Sequence, residues 1–124
     1  MMIKAAEYGS IETVKLCKIL GATNLDSAMV KAADNGHIEI VKLCKEWGAT
    51  NYDGVLLRAA FNGYIDIAKL CKEWGAKLFF AAIINATKNG HTEIVNLCKE
   101  WNETLSSEER AEQQNIVQYL LSVF

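Results

Sequence analysis

Four cysteines and two histidines are the residues of this sequence whose types could do chemistry. Cys17, Cys44, Cys71 and Cys98 recur at one constant interval along the chain. Thiols can form disulfides or bind zinc. Equivalent positions of stacked helices, however, lie roughly 8–10 Å apart, whereas a disulfide requires Cα atoms within about 7 Å and zinc requires thiolates at about 2.3 Å from one metal. The spacing therefore favours buried, reduced, structural thiols, which suit a reducing compartment.

The two histidines offer no catalytic arrangement. His37 and His91 each follow a glycine and lie two of these intervals apart, too far to share a metal ion or a proton. The same position in the other copies holds Ser10 or Tyr64, so no chemistry depends on it. The sequence also has no nucleophile elbow and no glycine-rich phosphate loop. We therefore predict that the chain is not an enzyme and has no catalytic, cofactor-binding or metal-binding residues.

Lysines recur at the same interval and could form a basic ridge that binds phosphate. An acidic residue, Glu12, Glu39 or Asp66, precedes each member of the first series by three positions, which is the spacing of paired charges on a solvated helix face. The net charge of −2 is not typical of a nucleic-acid-binding domain. The solvated face is the preferred interpretation, and nucleic-acid binding is kept as a remote third function. The two series are Lys15, Lys42 and Lys69, and Lys18, Lys45, Lys72 and Lys99.

All of these residues belong to a sequence repeat that governs most of the chain. Several independent columns of residue types share a period of about 27 residues, and repeats of this length indicate a solenoid of small supersecondary units. Proline is absent, which favours helices. The columns are Gly9, Gly36, Gly63 and Gly90; Leu16, Leu43, Leu70 and Leu97; and Trp47, Trp74 and Trp101, with Leu20 in the first copy.

One repeat reads as a helical hairpin. In the second copy, Asp26 or Ser27 is expected to cap a first helix, and Asn35-Gly36 to end it in a left-handed conformation. A second helix is predicted over about 37–47, and a loop of about five residues leads to the next copy. Each hairpin is apolar on too many sides to be stable alone, so we expect the hairpins to stack.

The repeats carry a resemblance to a known family. The segment AADNGHIEIVKLCKEWGA (32–49) resembles the ankyrin consensus around its Asn-Gly-His turn and its closing Gly-Ala, and the other copies match in turn over about residues 2–102. The ankyrin Thr-Pro-Leu-His tetrad is replaced, and the period is shorter than the family's usual length of about 33 residues. The missing residues fall where the family places its β-hairpin finger. The resemblance implies an all-α ankyrin-like stack with trimmed fingers, similar to short repeats in proteins of large DNA viruses that infect amoebae.

The predicted organisation is four ankyrin-like repeats, at about 1–24, 25–51, 52–78 and 79–105, followed by a capping helix over 106–124. Ser106 and Glu109 have the spacing of a capping box at the start of that helix. The helix is expected to be polar through Glu112, Gln113 and Gln114, and so to supply a polar outer face. It then carries Val117, Leu121 and Phe124 at an apolar spacing.

Residues 1 and 2 enter the first helix directly, without a polar capping repeat. Three interpretations stay open: an exposed apolar end, pairing of copies at that end, or a longer repeat protein. The longest apolar run, residues 78–84, is far shorter than the roughly 18 residues that a membrane span needs, and the start lacks the apolar core of a signal peptide. We expect an intracellular, cytoplasmic protein with no membrane partner.

The ankyrin resemblance implies partner binding on the concave face formed by the first helices. Phe61 would be an anchor there, because interface energy concentrates on a few aromatic and Arg residues. One outward column changes from acidic to aromatic to basic along the copies while the core columns barely change, which is typical of a recognition surface. The candidate partner-binding residues are Lys4, Lys31, Arg58, Glu7, Asp34, Phe61 and Lys88, with Asn85 in the same row.

The large aromatic residues form a secondary set of candidates. Trp47, Trp74 and Trp101 could roof the gap left by the trimmed fingers, or form an exposed binding ridge. Phe79 and Phe80 could be an apolar patch or additional core. The favoured function is a protein–protein interaction scaffold that is monomeric or a weak homo-oligomer through the open N-terminal end. The alternative is a structural, self-associating module or part of a longer repeat protein.

Overall fold

The computed structural model describes residues 1–123, and within them the chain forms nine α-helices and no β-strand. The all-α prediction is therefore confirmed. Phe124, expected on the apolar side of the last helix, lies outside the described residues. The helices are α1 (Met2–Tyr8), α2 (Ile11–Ile19), α3 (Leu25–Asp34), α4 (Ile38–Glu46), α5 (Tyr52–Asn62), α6 (Ile65–Glu73), α7 (Phe79–Lys88), α8 (Thr92–Glu103) and α9 (Ser107–Val123).

Eight of these helices form four consecutive hairpins, each in contact with its neighbours. The odd-numbered helices α1, α3, α5 and α7 contact one another in turn, and α9 extends their row by packing on α7. The even-numbered helices form a second row, in which α2 contacts α4 and α6 contacts α8. Alanines are buried where the odd-numbered helices meet, and small side chains let helices approach closely. These buried alanines are Ala5, Ala32, Ala59 and Ala86, with Ala6, Ala33 and Ala60 beside them.

The turn between the helices of a hairpin depends on a left-handed glycine. Gly36 has φ +76°, which a residue with a Cβ adopts only with strain, so the expected end of α3 is confirmed. In the next hairpin, the residue just before the second helix places its ring directly against such a turn glycine. The ring of His37 lies 2.7 Å from where a Cβ on Gly9 would be, and its Nε2 is 3.0 Å from the backbone carbonyl oxygen of Glu7. The turn glycines Gly9, Gly36 and Gly63 therefore also serve the contact between hairpins.

The predicted helix cap at Asp26 or Ser27 is wrong. Helix α3 begins earlier, at Leu25, and its N-cap residue makes no side-chain capping bond. The Asp26 carboxylate, lying in the first turn, accepts hydrogen bonds from the backbone N–H groups of Thr50 and Asn51, at 2.8 and 3.0 Å. It therefore ties its own hairpin to the loop that leads into the next one.

The same tie recurs one repeat later. The Asp53 carboxylate accepts hydrogen bonds from the N–H groups of Lys77 and Leu78, at 2.8 and 3.1 Å. Phe80 occupies the equivalent position of the fourth copy, so the series of aspartate ties ends there.

Helix α9 begins with the expected capping box. The Ser106 hydroxyl accepts from the Glu109 N–H, and the Glu109 carboxylate accepts from the Ser106 N–H, both at 3.1 Å. The Glu109 carboxylate also lies 2.7 Å from the amine of Lys77, which is on the loop between α6 and α7. Their mutual hydrogen bond raises the pKa of Lys77 and lowers the pKa of Glu109.

The rest of α9 differs from its predicted pattern. Gln113, expected on the polar face, is buried and accepts a hydrogen bond from the Phe80 N–H, because α9 packs over the open first turn of α7. Val117 is buried, but Leu121 is exposed. Val117 stands where the other copies have the turn glycine, so the helix continues to Val123. The prediction that this segment supplies a polar outer face is therefore wrong for its second half.

Candidate functional site

The first-helix face is the row of outward residues on α1, α3, α5 and α7. Because these four helices contact one another in turn, equivalent positions line up across the row. Arg58 and Phe61 are exposed, whereas Lys31 and Asp34 are half-buried. Lys4 and Lys88 are exposed at the two ends of the row, and Glu7 is half-buried. In the same row, the Asn85 amide donates to the Leu57 carbonyl oxygen at 3.3 Å.

Charges on this face are only partly paired. The Arg58 guanidinium lies 3.9 Å from the Asp34 carboxylate, which also accepts a 2.9 Å hydrogen bond from the Asn62 amide. The amine of Lys4 lies 3.8 Å from the Glu7 carboxylate. Exposed pairs of this kind add little stability, so they leave these charges available to a ligand.

Lys31 and Lys88 are two further cations on this face. Within residues 1–123, no carboxylate lies within 4.0 Å of the amine of Lys31 or Lys88. The candidate residues of the first-helix face therefore include four basic and two acidic side chains. The same helices also carry Asp26 and Asp53, whose carboxylates accept backbone N–H groups of the following loops.

A groove of about 390 Å³ lies on this face between α1, α3 and α5. The apolar residues Ile3 and Val30 line it, and so do Asp26 and three of the predicted residues, Lys31, Asp34 and Arg58. Phe61 and Lys88 lie outside it. The structure thus brings part of the predicted set around one concavity and leaves the remainder as separate positions along the row.

Phe61 is the one large apolar side chain that is exposed anywhere between residues 21 and 115, all of which the structure describes. Its side chain is 42% exposed, and its backbone carbonyl oxygen lies 3.1 Å from Nε2 of His91 in the next hairpin. The hydrogen bond holds the backbone at Phe61, whereas the ring is free to contact a ligand.

The tryptophan column is half-buried and packs within its own repeats. The ring centroids of Trp74 and Tyr52 lie 5.7 Å apart, and those of Trp101 and Phe79 are the same distance apart. The amine of Lys45 lies 5.6 Å from the Trp74 ring centroid, which is a cation–π distance. These contacts correspond to the roofing role expected for Trp74 and Trp101; Trp47 is half-buried in the same way.

Phe79 and Phe80 separate into different environments. Phe79 is 2% exposed and belongs to the core, whereas Phe80 is half-buried at the start of α7. The favoured interpretation, in which this pair adds to the core, is therefore confirmed for Phe79.

All four cysteines are buried and free, as predicted. Burial, with a smaller contribution from Asp26, raises the pKa of the Cys44 thiol to about 11. Burial and, to a lesser extent, Asp53 raise the pKa of Cys71 to about 12, and burial alone raises that of Cys98 to about 12. A thiol that holds its proton so firmly is a poor nucleophile and a poor metal ligand. In the described part of the chain, no group of three or more His, Cys, Asp or Glu residues is placed to hold a metal ion.

Two features of the surface are missing from the sequence-based candidates. A groove of about 510 Å³ lies along the hairpin turns beside Gly36, Tyr64 and Ile65, and a smaller one of about 240 Å³ repeats it one hairpin earlier. The second feature is a set of exposed apolar side chains on α2 and α9, among them Ile19 and Tyr119. The sequence does mark Ile19 as a departure from the repeat, because the other three copies have glutamate at this position.

No protein-family model matches this chain, and no curated protein matches it significantly. In the part of the chain that the structure describes, no helix is both long and apolar enough to cross a membrane.

Proposed function

We propose that this chain is an ankyrin-like helical-repeat module that binds a protein partner through its first-helix face. One observation carries the proposal: Phe61 is an exposed aromatic residue among charged side chains, in the middle of a row of side chains that changes from copy to copy. The resemblance of the Asn-Gly-His turns to ankyrin repeats supports the same face, since that family binds partners along its first helices.

The charge on the face suits a particular kind of partner. Lys31 and Lys88 are not neutralised within residues 1–123, and Arg58 shares its charge with Asp34 across an exposed 3.9 Å contact. A protein segment carrying carboxylates would complement these cations, and an apolar side chain beside them would cover Phe61. Electrostatic complementarity of this kind contributes mainly to specificity and association rate, and the aromatic contact contributes to affinity.

The test is an affinity capture from cytosolic lysate that compares the native chain with a Lys31→Glu, Phe61→Ala double variant. A matched control, Lys69→Glu with Leu121→Ala, makes the same charge reversal and also removes a large apolar side chain, at exposed positions on α6 and α9. We expect the native chain and the control to retain the same protein and the first-helix variant to lose it, with all three equally helical by circular dichroism.

A partner that the first-helix variant still retains would contradict the proposal, as would a partner that only the control loses. Retention of no protein by the native chain would also count against it and would favour the structural, self-associating role.

A further inference from the structure

Helix α2 carries an exposed apolar surface, the α2 patch, that the proposed function does not use. The patch consists of Leu16, Ile19 and Leu20, whose side chains are 55%, 80% and 76% exposed. Their spacing of three and four residues places them on one side of a helix. Water therefore contacts a continuous apolar surface on the first hairpin.

This patch is more apolar than the repeat requires. Ile19 stands where the later copies have Glu46, Glu73 and Glu100, all of them exposed. The core therefore does not need an apolar residue at this position. Tyr8, 74% exposed, shows the same departure, because the later copies have asparagine there.

Leu16 shows which side of α2 the patch occupies. Its equivalent in the last hairpin, Leu97, is half-buried although no even-numbered helix follows α8. Leu16 is exposed although α4 packs on α2. In the later copies, the leucine at this position therefore packs toward the even-numbered helix that precedes it. The α2 patch is the same helix-packing face on the first copy, where it is exposed.

A second exposed apolar surface, the α9 stripe, lies at the other end of the row of hairpins. It consists of Ile116, Tyr119 and Val123, which are 39%, 68% and 57% exposed. Their spacing of three and four residues gives one face of the helix, and the buried Gln113 and Val117 mark the different face that packs on α7.

We propose that the two surfaces pair between copies of this chain, with the α9 stripe of one copy on the α2 patch of the next. Each surface is a helix face with an apolar stripe, so the contact reproduces helix-on-helix packing. The flanking charges are complementary: Lys15 lies one turn from Ile19 on α2, and Glu112 lies one turn from Ile116 on α9, both of them exposed. Residues 1–24 carry three lysines and two glutamates, and residues 106–123 carry three glutamates and one arginine.

The proposed contact joins two different surfaces. Such a heterologous contact leaves one surface free at each end of a pair, so copies add to one another without closing into a symmetric dimer. The first-helix face lies on other helices and stays available for a partner in this arrangement.

Sedimentation velocity over a concentration series tests the association. We expect the weight-average mass of the native chain to rise continuously from monomer, at low micromolar concentration, past dimer near millimolar concentration. Ile19→Glu, which gives the first copy the residue of the other three, should keep the mass monomeric without changing the helix content. The control Lys69→Gln changes the net charge by the same amount on α6 and should associate like the native chain.

Mixing experiments test the pairing of unlike surfaces. Ile19→Glu blocks the α2 patch, and Tyr119→Glu blocks the α9 stripe, so each variant alone should be monomeric. An equimolar mixture should form a one-to-one heterodimer and nothing larger, because one intact surface of each kind remains.

Three outcomes overturn the proposal. One is a native chain that stays monomeric over the whole series. Another is a Tyr119→Glu variant that associates as well as the native chain, which would mean that the α2 patches pair with each other. The third is a mixture of the two variants that forms no heterodimer. None of these readouts involves capture of a foreign protein, so they leave the proposed function untouched.

Discussion

Gly36 meets two physical requirements, of which Gly90 meets only one, so experiment can separate them. Gly36 has φ +76°, and a Cβ on it would lie 3.1 Å from the Tyr64 ring of the next hairpin. Gly90 has nearly the same dihedral, φ +73°, but no atom of the described residues lies within 4 Å of a Cβ built on it. The two positions therefore share the backbone strain and differ in the contact between hairpins.

We expect Gly36→Val to lower the free energy of unfolding by more than about 1 kcal/mol, because a β-branched residue is strained in the left-handed region and would also press on the Tyr64 ring. Gly90→Val should cost less, since it carries the strain alone. Urea unfolding of both variants measures the difference. An unchanged unfolding transition for Gly36→Val would contradict the left-handed turn at Gly36. Equal losses of unfolding free energy for the two variants would contradict the role of the Tyr64 ring.

The buried thiols predict a dependence of stability on alkaline pH. The folded pKa values of Cys44 and Cys71, about 11 and about 12, lie above the ordinary value of 9.0. The unfolded chain therefore loses these protons first as the pH rises. Stability that is fully present below pH 9 is lost as the pH rises toward the folded pKa values.

We expect the free energy of unfolding to fall between pH 9 and pH 11, as measured by urea titrations at several pH values. Lysines and tyrosines also ionise there, so the matched measurement is on Cys71→Ala, which should show a shallower fall. Equal slopes for the two proteins would contradict the assignment to the thiol. In the native chain, alkylation of these thiols near neutral pH should be slow until the protein unfolds.

At the scale of helices, the first-turn aspartates join one hairpin to the next. The Asp26 carboxylate accepts two backbone N–H groups from the loop before α5, whereas no hydrogen bond of the Ser27 side chain is present in the described residues. A carboxylate that accepts backbone N–H groups makes relatively strong hydrogen bonds. The two neighbouring residues therefore offer a direct comparison on one helix turn.

We expect Asp26→Ala to cost about 1–3 kcal/mol of stability, because two charge-assisted hydrogen bonds between hairpins are lost. Ser27→Ala should change stability by less than about 0.5 kcal/mol, as is usual for an exposed position. Thermal or urea unfolding of the two variants checks the comparison. A larger loss of stability for Ser27→Ala than for Asp26→Ala would support the interpretation of Ser27 as the helix cap.

For the whole molecule, packing between neighbours predicts that protection from hydrogen exchange varies along the chain. Helices α3 and α5 have neighbours on both sides in the row of odd-numbered helices, whereas α2 has two buried residues and an exposed apolar side. In a row of repeats, stability is approximately a sum of each unit and its contacts with its neighbours.

We expect the slowest amide exchange in α3 to α6, and faster exchange in α2 and in the second half of α9, because these segments have fewer packing partners. Mass spectrometry of exchanged peptides measures this at a concentration where the chain is monomeric. Uniform protection over all these helices would contradict a row of units joined only by neighbour contacts.

Much of the fold could be predicted from sequence because its determinants are local and repeated. The repeated columns predict the hairpins, the turn at Gly36 and the burial of Cys44 and its equivalents, since helix periodicity and the conformational freedom of glycine act over short stretches of chain. The capping box of Ser106 and Glu109 could be predicted for the same reason.

Tertiary structure alone decided the features that depend on which surfaces meet. The partners of Asp26 lie 24 and 25 residues away, so local capping rules assigned it a wrong role. Gln113 is buried because α9 packs over the open end of α7, a contact that composition does not reveal. Sequence comparison among the copies places Phe61 and Ile19 in variable columns, but their exposure depends on which faces of the helices the neighbouring hairpins cover.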